Sequence, residues 1–438
     1  MPSQKVDITL DKLIDIVKRG GTVKTGVDVL RTDGTLLLER DVLIRSVKPL
    51  LIIKESGLDA VPIHPGQSGG MWDKNGQALM DKSPPVAPGK KRMPVASPKI
   101  KEKVEEIGQL KKEAARKYRK AKENIKKVID DIKKTGGQFD YQTVESTVTD
   151  LFDYITKNEN AFFYLTREIF SYDDYLYNHS INVCTIGTAI MKKFSSGLGS
   201  VGRHYGKKML HDISIGFFLH DVGKVLIPDS IMNKTGKLTP AEFELIKTHS
   251  YEAGLAVLEK NQITNPLICD MVKLHHAAIV AGETNSYPPV ADPSSIEPYV
   301  KICKLADMYD AMTSKRSYKD AFNPIGVVTS IVRGYAEKDD TLQLVLHSFV
   351  ECIGIYPPGS VVYLVDGHQA YVLDSVGPIV VPFIDADGNI LHTPMDPIDL
   401  SDPDVKEAGW WVDSEKHLIA PAKVYPLLPD YLKQPPAA

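Results

Sequence analysis

The sequence is poor in cysteine, with only four residues in 438: Cys184, Cys269, Cys303 and Cys352. They are widely spaced and form no Cys-x-x-Cys pair, so neither a zinc ribbon nor a disulfide framework is indicated. This usage is typical of a protein that works in a reducing compartment.

Long apolar runs are also missing. The longest, such as residues 213–219, are far shorter than the roughly 20 residues that a membrane-spanning helix needs. The N-terminus is amphipathic and charged, and it lacks the apolar stretch of a signal peptide. These absences predict a soluble, cytoplasmic protein without a membrane span.

No charge of one sign dominates the chain. The 53 Lys and Arg residues face 56 Asp and Glu residues, so the whole-chain balance does not favour nonspecific binding to nucleic acid or membranes. Apolar residues make up 43% and charged residues 25%, which excludes collagen-like and disordered chains. A length of 438 residues suggests about three domains.

Changes in composition divide the chain into five segments. We predict a small α+β domain at 1–64, a flexible Pro/Gly linker at 65–98, a basic coiled-coil-like helix at 99–135, an all-α domain at 136–355 and a β-rich domain at 356–438. The linker holds six Pro and five Gly in 34 residues. In the two terminal domains, Asp-Gly pairs such as Asp33-Gly34 separate β-prone runs and predict hairpins.

The segment 99–135 has an apolar residue at every third or fourth position from Ile100 to Ile132. Such a seam predicts a coiled coil and hence a homodimer through this helix. The segment also carries 14 Lys and Arg against seven Asp and Glu. Nucleic-acid binding is the alternative, but no base-stacking aromatics interleave with the basic residues, so we favour a solvated face and expect no nucleic-acid polymer.

The all-α segment concentrates side chains that suit a transition metal. They are His179, His220, Asp221, His249, His275, His276 and Asp307. Any one of these histidines is equally well explained as a hydrogen-bonded core residue. The adjacent pairs favour a metal site, because a carboxylate beside an imidazole can bridge two ions. The nearby pair His211-Asp212 lacks a counterpart of Gly223-Lys224, which follow the pair His220-Asp221 after one residue. We therefore expect His211-Asp212 at the surface or in a capping position.

Five separated motifs resemble the HD-GYP phosphodiesterases, a branch of the HD-domain phosphohydrolases. In chain order they are NHSINV at 178–183, HDVGK at 220–224, KTHSYEAG at 247–254, LHH at 274–276 and KLADMYDAMTSKRSYK at 304–319. The resemblance implies an all-α HD-type core within a multidomain chain. The two terminal segments are more weakly similar to accessory domains that are often fused to such cores.

The resemblance implies hydrolysis of cyclic di-GMP to linear pGpG, and onward to GMP, by a hydroxide that bridges two divalent ions of iron or manganese. Carried over by position, one ion would be held by His179, His220, Asp221 and Asp307, and the other by Asp221, His249, His275 and His276. Two ions make a water nucleophilic at neutral pH and neutralise phosphate charge.

The resemblance also implies roles for residues around the ions. Asp221, Lys224 and Asp310 would be catalytic, with Lys224 paired to Asp310 and placed to stabilise charge on the phosphate. Arg316 and Lys319 match the phosphate-binding cations of the family. Without the resemblance, these two and Lys224 would be interpreted as solvated charges.

The loop after the histidine pair departs from the family pattern. It reads HHAAIVAGETNSYPPV, so Ser286 replaces the glycine of Gly-Tyr-Pro and only Tyr287-Pro288 remain. Tyr287 is the substrate-binding residue that we expect from this loop. Trinuclear members carry a glutamate where Tyr175 stands, so we predict two metals; Tyr175 could instead pack in the core.

Two other functions fit part of the pattern. The chain could be a receptor or scaffold that binds a cyclic dinucleotide, or only metal, and passes a signal to a partner protein. It could also be a general HD phosphohydrolase acting on mononucleotides, although this does not explain why the histidine pair is joined to DMYDAMTSKRSYK. Replacing Asp221 by Ala separates the enzyme from the receptor, because only the enzyme would lose its activity.

Overall fold

The computed structural model describes residues 6–30, 36–38, 42–55, 58–64, 69–79, 96–158, 161–166, 175–197, 205–234, 236–314, 322, 324–336, 339–354, 356–375, 378–391, 395–413, 428 and 432. The chain forms two compact units, residues 1–93 and 94–438. Along the sequence, short strands come first, a long run of helices follows, and further short strands come last, in agreement with the predicted fold class. In the described part of the chain, no helix has both the length and the apolar character needed to cross a membrane.

The first unit is an α+β structure. Its strands are β1 (Val6–Thr9), β2 (Thr22–Lys24), β3 (Val29–Leu30), β4 (Leu36–Leu38), β5 (Ala60–Ile63) and β6 (Gly70–Trp72), with helices α1 (Leu10–Lys18) and α2 (Lys48–Glu55). They pair antiparallel as β1 with β5, β2 with β6, and β3 with β4. The third pair agrees with the predicted hairpin, whose Asp33-Gly34 turn lies outside the described residues.

Part of the predicted linker is folded. Strand β6 pairs with β2, so the ordered part of the first unit extends beyond residue 64, and the predicted start of the linker is wrong. A Cβ added at Gly69, directly before β6, would overlap the carbonyl oxygen of Thr25, so glycine here permits close approach of two backbone segments. Composition alone does not distinguish this use of glycine from a flexible linker. Residues 80–95 of the predicted linker lie outside the described residues.

The basic segment forms one long helix, α3 (Pro98–Thr135), within one residue of its predicted start. The Ser97 hydroxyl accepts a hydrogen bond from the Ile100 N–H, and Pro98 occupies the first helical position. The helix ends at Gly136, which has a positive φ of 70°.

The apolar seam of α3 is covered by the chain itself. Seam residues such as Tyr118, Ile125 and Ile132 belong to the main hydrophobic core, together with residues of α4 (Tyr141–Lys157), α5 (Ala161–Thr166) and α6 (Tyr175–Ser196). Packing within one chain therefore explains the seam, and this corrects its interpretation as a coiled-coil surface. The homodimer stays a prediction without that support.

The remaining helices complete the predicted all-α region. They are α7 (Lys207–Leu219), α8 (Asp229–Met232), α9 (Pro240–Thr248), α10 (Leu255–Lys260), α11 (Pro266–Leu274), α12 (Pro298–Thr313), α13 (Pro324–Tyr335) and α14 (Asp340–Ile353). Helix α6 packs against α7, α12 and α14, and α7 also packs against α11. The middle of the region is therefore built around α6 and α7.

The C-terminal segment is rich in strands, as predicted. Strands β7 (Val361–Tyr363), β8 (Gln369–Asp374), β9 (Ile379–Ile384) and β10 (Ile398–Asp399) form one antiparallel sheet in the order β10-β9-β8-β7, followed by α15 (Pro403–Glu407). Tyr371 and Phe383 belong to the same hydrophobic core as the helices. Lys103 on α3 also lies 3.5 Å from the buried carboxylate of Asp374. The sheet therefore shares a core with the helical region.

Candidate metal centre

The fold brings all seven predicted metal-ligating residues together. His179 lies on α6, His220 and Asp221 follow α7, His249 follows α9, His275 and His276 follow α11, and Asp307 lies on α12. All are buried except His276, whose side chain is 23% exposed. Residues up to 128 positions apart in the sequence thus converge at one buried place.

Two of the ligand segments touch through their backbones. The 3-10 turn Val222–Leu226 packs against the π-helical turn His249–Gly254. A Cβ added at Gly223 would overlap the carbonyl oxygen of His249 and the nitrogen of Gly254. The glycine of HDVGK therefore permits the approach of two ligand-bearing turns. Single π-helical turns are frequently found at functional sites.

The ligand atoms form two groups, and within each group they lie within 4.8 Å of one another. Site A comprises His179, His220 and Asp307, and site B comprises Asp221, His249, His275 and His276. Asp221 also faces site A, since its Oδ2 lies 3.2 Å from Nε2 of His179 while its Oδ1 lies 3.1 Å from Nε2 of His249. This division matches the two predicted ligand sets, with Asp221 between them.

In four of the imidazoles, a hydrogen bond at Nδ1 fixes the orientation of the ring. His220 bonds to the Phe217 carbonyl at 2.8 Å, His249 to the Ile246 carbonyl at 2.6 Å, His275 to the Val272 carbonyl at 3.0 Å and His179 to Oδ2 of Asp310 at 2.7 Å. A carbonyl oxygen can only accept a hydrogen bond, so Nδ1 must carry the proton in the first three rings. In a neutral imidazole, Nε2 then presents a lone pair.

These lone pairs face one another. Nε2 of His220 lies 3.3 Å from Nε2 of His179, and Nε2 of His249 lies 3.2 Å from Nε2 of His275. With the protons on Nδ1, neither pair has a proton to share. Oδ1 of Asp221 is also buried without a hydrogen-bond partner in the described part of the chain. Such converging acceptors fit divalent metal ions, and imidazole with carboxylate suits iron, manganese or zinc.

Electrostatics keep these ligands in their metal-binding forms. Burial lowers the pKa of His249, His275 and His276, which favours the neutral imidazole. Burial alone would raise the pKa of Asp221, but the positive charge of Lys224 holds it well below its usual range. Burial opposes ionisation of Asp307 as well, and its close contact with His179 holds the pKa well below the ordinary value.

Lys224 and Asp310 do not form the predicted pair. Nζ of Lys224 lies 2.5 Å from Oδ2 of Asp221, three residues earlier in the same turn. Asp310 instead accepts hydrogen bonds from Nδ1 of His179 and from Nδ2 of Asn182, the latter at 2.8 Å. Asp310 follows Asp307 by one helical turn and so supports the imidazole that Asp307 faces. This geometry makes Asp310 a positioning residue for His179.

Two residues missed by the sequence analysis extend that support. Tyr118 on α3 donates its hydroxyl hydrogen to Oδ1 of Asn182 at 3.2 Å, and Asn182 donates to Asp310. All three side chains are buried. The sequence signals for Asn182 were its place in the motif NHSINV and its position three residues after His179 on the same helix. The result is a hydrogen-bonded path from the long helix to a ligand of site A.

Tyr287 lies at the edge of the ligand cluster. Its ring centroid is 4.7 Å from that of His276 and 6.2 Å from that of His249. Its backbone N–H donates to the carbonyl of His276 at 3.0 Å. The altered loop therefore returns to the histidine pair and places an aromatic ring beside His276, the partly exposed member of the cluster.

The other predicted residues lie elsewhere. Arg316, Lys319 and the side chain of Tyr175 lie outside the described residues. His211 bonds to Oγ1 of Thr149 at 2.8 Å, and Asp212 pairs with the exposed Lys208. The second His-Asp pair is therefore separate from the metal-ligating groups, as predicted.

Residues 176–312 match the family model of the HD domain. A cyclic di-GMP phosphodiesterase of Pseudomonas aeruginosa is 29% identical over 223 residues, which is 51% of this chain and 50% of that protein. The chain thus spans about half the length of this relative.

Two Vibrio cholerae proteins match shorter stretches. A cyclic di-GMP phosphodiesterase is 36% identical over 26% of this chain and 24% of its own length. A 3'3'-cGAMP-specific phosphodiesterase is 31% identical over 31% of this chain and 26% of its own length. The solved structure of an HDG"Y"P protein from Bdellovibrio bacteriovorus aligns with 80% of this chain and 99% of that one at 13% identity, and its TM-score of 0.41 is too low to establish a shared fold.

Proposed function

We propose that this chain, whose residues 176–312 form an HD domain related to cyclic di-GMP phosphodiesterases, is a metal-dependent phosphodiesterase acting on cyclic dinucleotides. One observation carries the proposal: buried Nε2 lone pairs converge in two groups on either side of the Asp221 carboxylate. Paired metal sites of this kind are typical of enzymes that cleave phosphate esters.

The ligand sets suggest two ions. Site A with Oδ2 of Asp221 would hold one, and site B would hold the other. When bound, such a pair lowers the pKa of water and neutralises charge on a phosphate during in-line displacement. The donor atoms do not distinguish iron from manganese, and we propose one of these two metals.

The residues of the chain have separate tasks in this proposal. Lys224 keeps Asp221 ionised and supplies positive charge beside the place where a phosphate would bind. Asp310 holds the imidazole of His179 in one orientation. Tyr287 offers an aromatic face for a nucleobase next to the exposed His276. We further propose Arg316 and Lys319 as phosphate-binding cations.

We propose cyclic di-GMP as the substrate and linear pGpG as the first product. The name of the Pseudomonas aeruginosa relative, which has the longest of the reported alignments, supports this substrate. The relationship to a 3'3'-cGAMP-specific enzyme makes that dinucleotide the necessary comparison substrate.

The test is product formation from each dinucleotide by anaerobically purified protein. The variants are Asp221→Ala and the matched control Asp212→Ala, which changes the aspartate of the other, partly buried His-Asp pair. We expect linear dinucleotide from the wild type and from Asp212→Ala, and none from Asp221→Ala. Binding of cyclic dinucleotide without any product would contradict the enzyme and favour the receptor, which the altered loop makes the second candidate.

A further inference from the structure

The loop at 277–288 is anchored by an acidic residue of its own. Oε2 of Glu283 accepts a hydrogen bond from the backbone N–H of Ile279 at 2.8 Å. Oε1 accepts one from the Tyr335 hydroxyl on α13 at 2.7 Å. The same Oε1 lies 2.5 Å from Nζ of Lys304 on α12. One carboxylate thus joins the loop to two helices.

Lys304 strengthens this anchor at a second point. Its Nζ also donates to the carbonyl of Ala277 at 2.7 Å, at the start of the loop. The side chains of Lys304 and Glu283 are only 7% and 15% exposed. Buried charges are costly unless they are paired and hydrogen-bonded, so this arrangement strongly favours one loop position. Lys304 precedes the metal-site residue Asp307 by three positions on the same helix.

At the other end of the loop, a backbone hydrogen bond fixes the position of Tyr287. Glu283 comes four residues before Tyr287, whose N–H is bonded to the carbonyl of His276. The loop is therefore fixed at Ala277, Ile279 and Tyr287, and the Tyr287 ring rests against His276. Loss of the Glu283 contacts would therefore loosen the loop that carries the Tyr287 ring without removing any metal-ligating residue.

We propose that Glu283, Lys304 and Tyr335 form a clamp that positions the loop 277–288, and with it Tyr287, for binding a nucleobase of the substrate. They are positioning residues that set substrate affinity, and the hydrolytic step itself does not involve them. The proposal rests on the function proposed above, and it gives a role to three residues to which the sequence analysis assigned none.

The test uses Glu283→Gln, which keeps the shape of the side chain, and Tyr335→Phe, which removes one hydrogen bond. The matched control is Asp339→Asn, because Asp339 pairs with the buried Lys301 on the same helix α12 but does not contact the loop. For Glu283→Gln we expect KM to rise about tenfold with kcat nearly unchanged, and a smaller rise for Tyr335→Phe. Asp339→Asn should leave KM unchanged.

Two further readouts are independent of turnover. Hydrogen exchange at amides of 277–288 should be faster in Glu283→Gln than in the wild type and the control, and metal content should stay equal in all three. Faster exchange with unchanged KM would overturn the clamp, as would a loss of metal parallel to the loss of activity. If the wild type proves inactive, the proposed function fails, whereas the clamp is still tested by loop exchange and by the Kd for cyclic di-GMP.

Discussion

The two halves of the candidate metal centre are built differently. In site A, His179 is held by a carboxylate 131 residues away, which is itself bonded to Asn182 and through it to Tyr118. In site B, His249 and His275 are held by carbonyl oxygens of their own helical turns. The orientation of His179 in site A therefore depends on long-range tertiary contacts. The other site A histidine, His220, is held like those of site B by a carbonyl oxygen of its own helical turn, that of Phe217.

The halves also differ in their access to solvent. Every residue of site A is buried, whereas site B includes the partly exposed His276 and lies beside Tyr287. In the proposed enzyme, we infer from this difference that the substrate binds on the side of site B. A change at the shared carboxylate should damage both halves, and changes elsewhere should damage one half selectively.

The largest effect is expected from a substitution that damages both halves at once. Asp221→Ala deletes the carboxylate whose oxygens lie within 3.2 Å of a histidine in each half, so we expect hydrolysis to fall at least about 1,000-fold and both ions to be lost. Metal analysis of the purified variant, beside the Asp212→Ala control, checks this. Retention of both ions would show that Asp221 is not shared.

A change confined to site A is the next in size. Asp310→Asn removes the charge that supports His179, and loss of such a supporting group typically costs about 10- to 100-fold in metal affinity. Titration with Mn²⁺ should show one weakened ion and one unaffected ion, with site B as the internal control. Equal weakening of the two ions would contradict the separation into halves.

A change on the substrate side of site B should leave the metals in place. Tyr287→Ala removes the ring beside His276, and loss of one base-stacking partner predicts a KM rise of about tenfold with kcat little changed. Steady-state kinetics with cyclic di-GMP measure both constants. Tyr287→Phe keeps the ring and should retain the wild-type KM; a rise equal to that of Ala would exclude stacking.

The smallest effect is expected at Tyr118, the residue of the hydrogen-bonded path to site A that lies farthest from His179. Tyr118→Phe deletes a single buried hydrogen bond to Asn182, for which we expect about a threefold loss of affinity for one ion. Tyr154→Phe is the matched control, because its hydroxyl bonds to the Leu110 carbonyl on the same long helix. An equal effect of both variants would indicate general destabilisation of α3.

The candidate ligands His220-Asp221 and His275-His276 stand out in the sequence as adjacent pairs, and each of these pairs directly follows a helix. Their supports could not be predicted, since Asn182 and Glu283 acquire their roles only when distant helices meet. The α3 seam shows a different limit: an apolar stripe has the same spacing whether a second chain or the chain's own helices cover it. Strand β6 was missed because Gly69, directly before it, serves close packing of two backbone segments in a stretch with the composition of a linker.

The most direct test of two halves sharing one carboxylate is anomalous X-ray diffraction from crystals of the full chain grown with Mn²⁺. We predict two peaks, roughly 3.5–4 Å apart, on either side of the Asp221 carboxylate, one within reach of His179 and the other within reach of His275. A single peak, or peaks away from Asp221, would contradict the account.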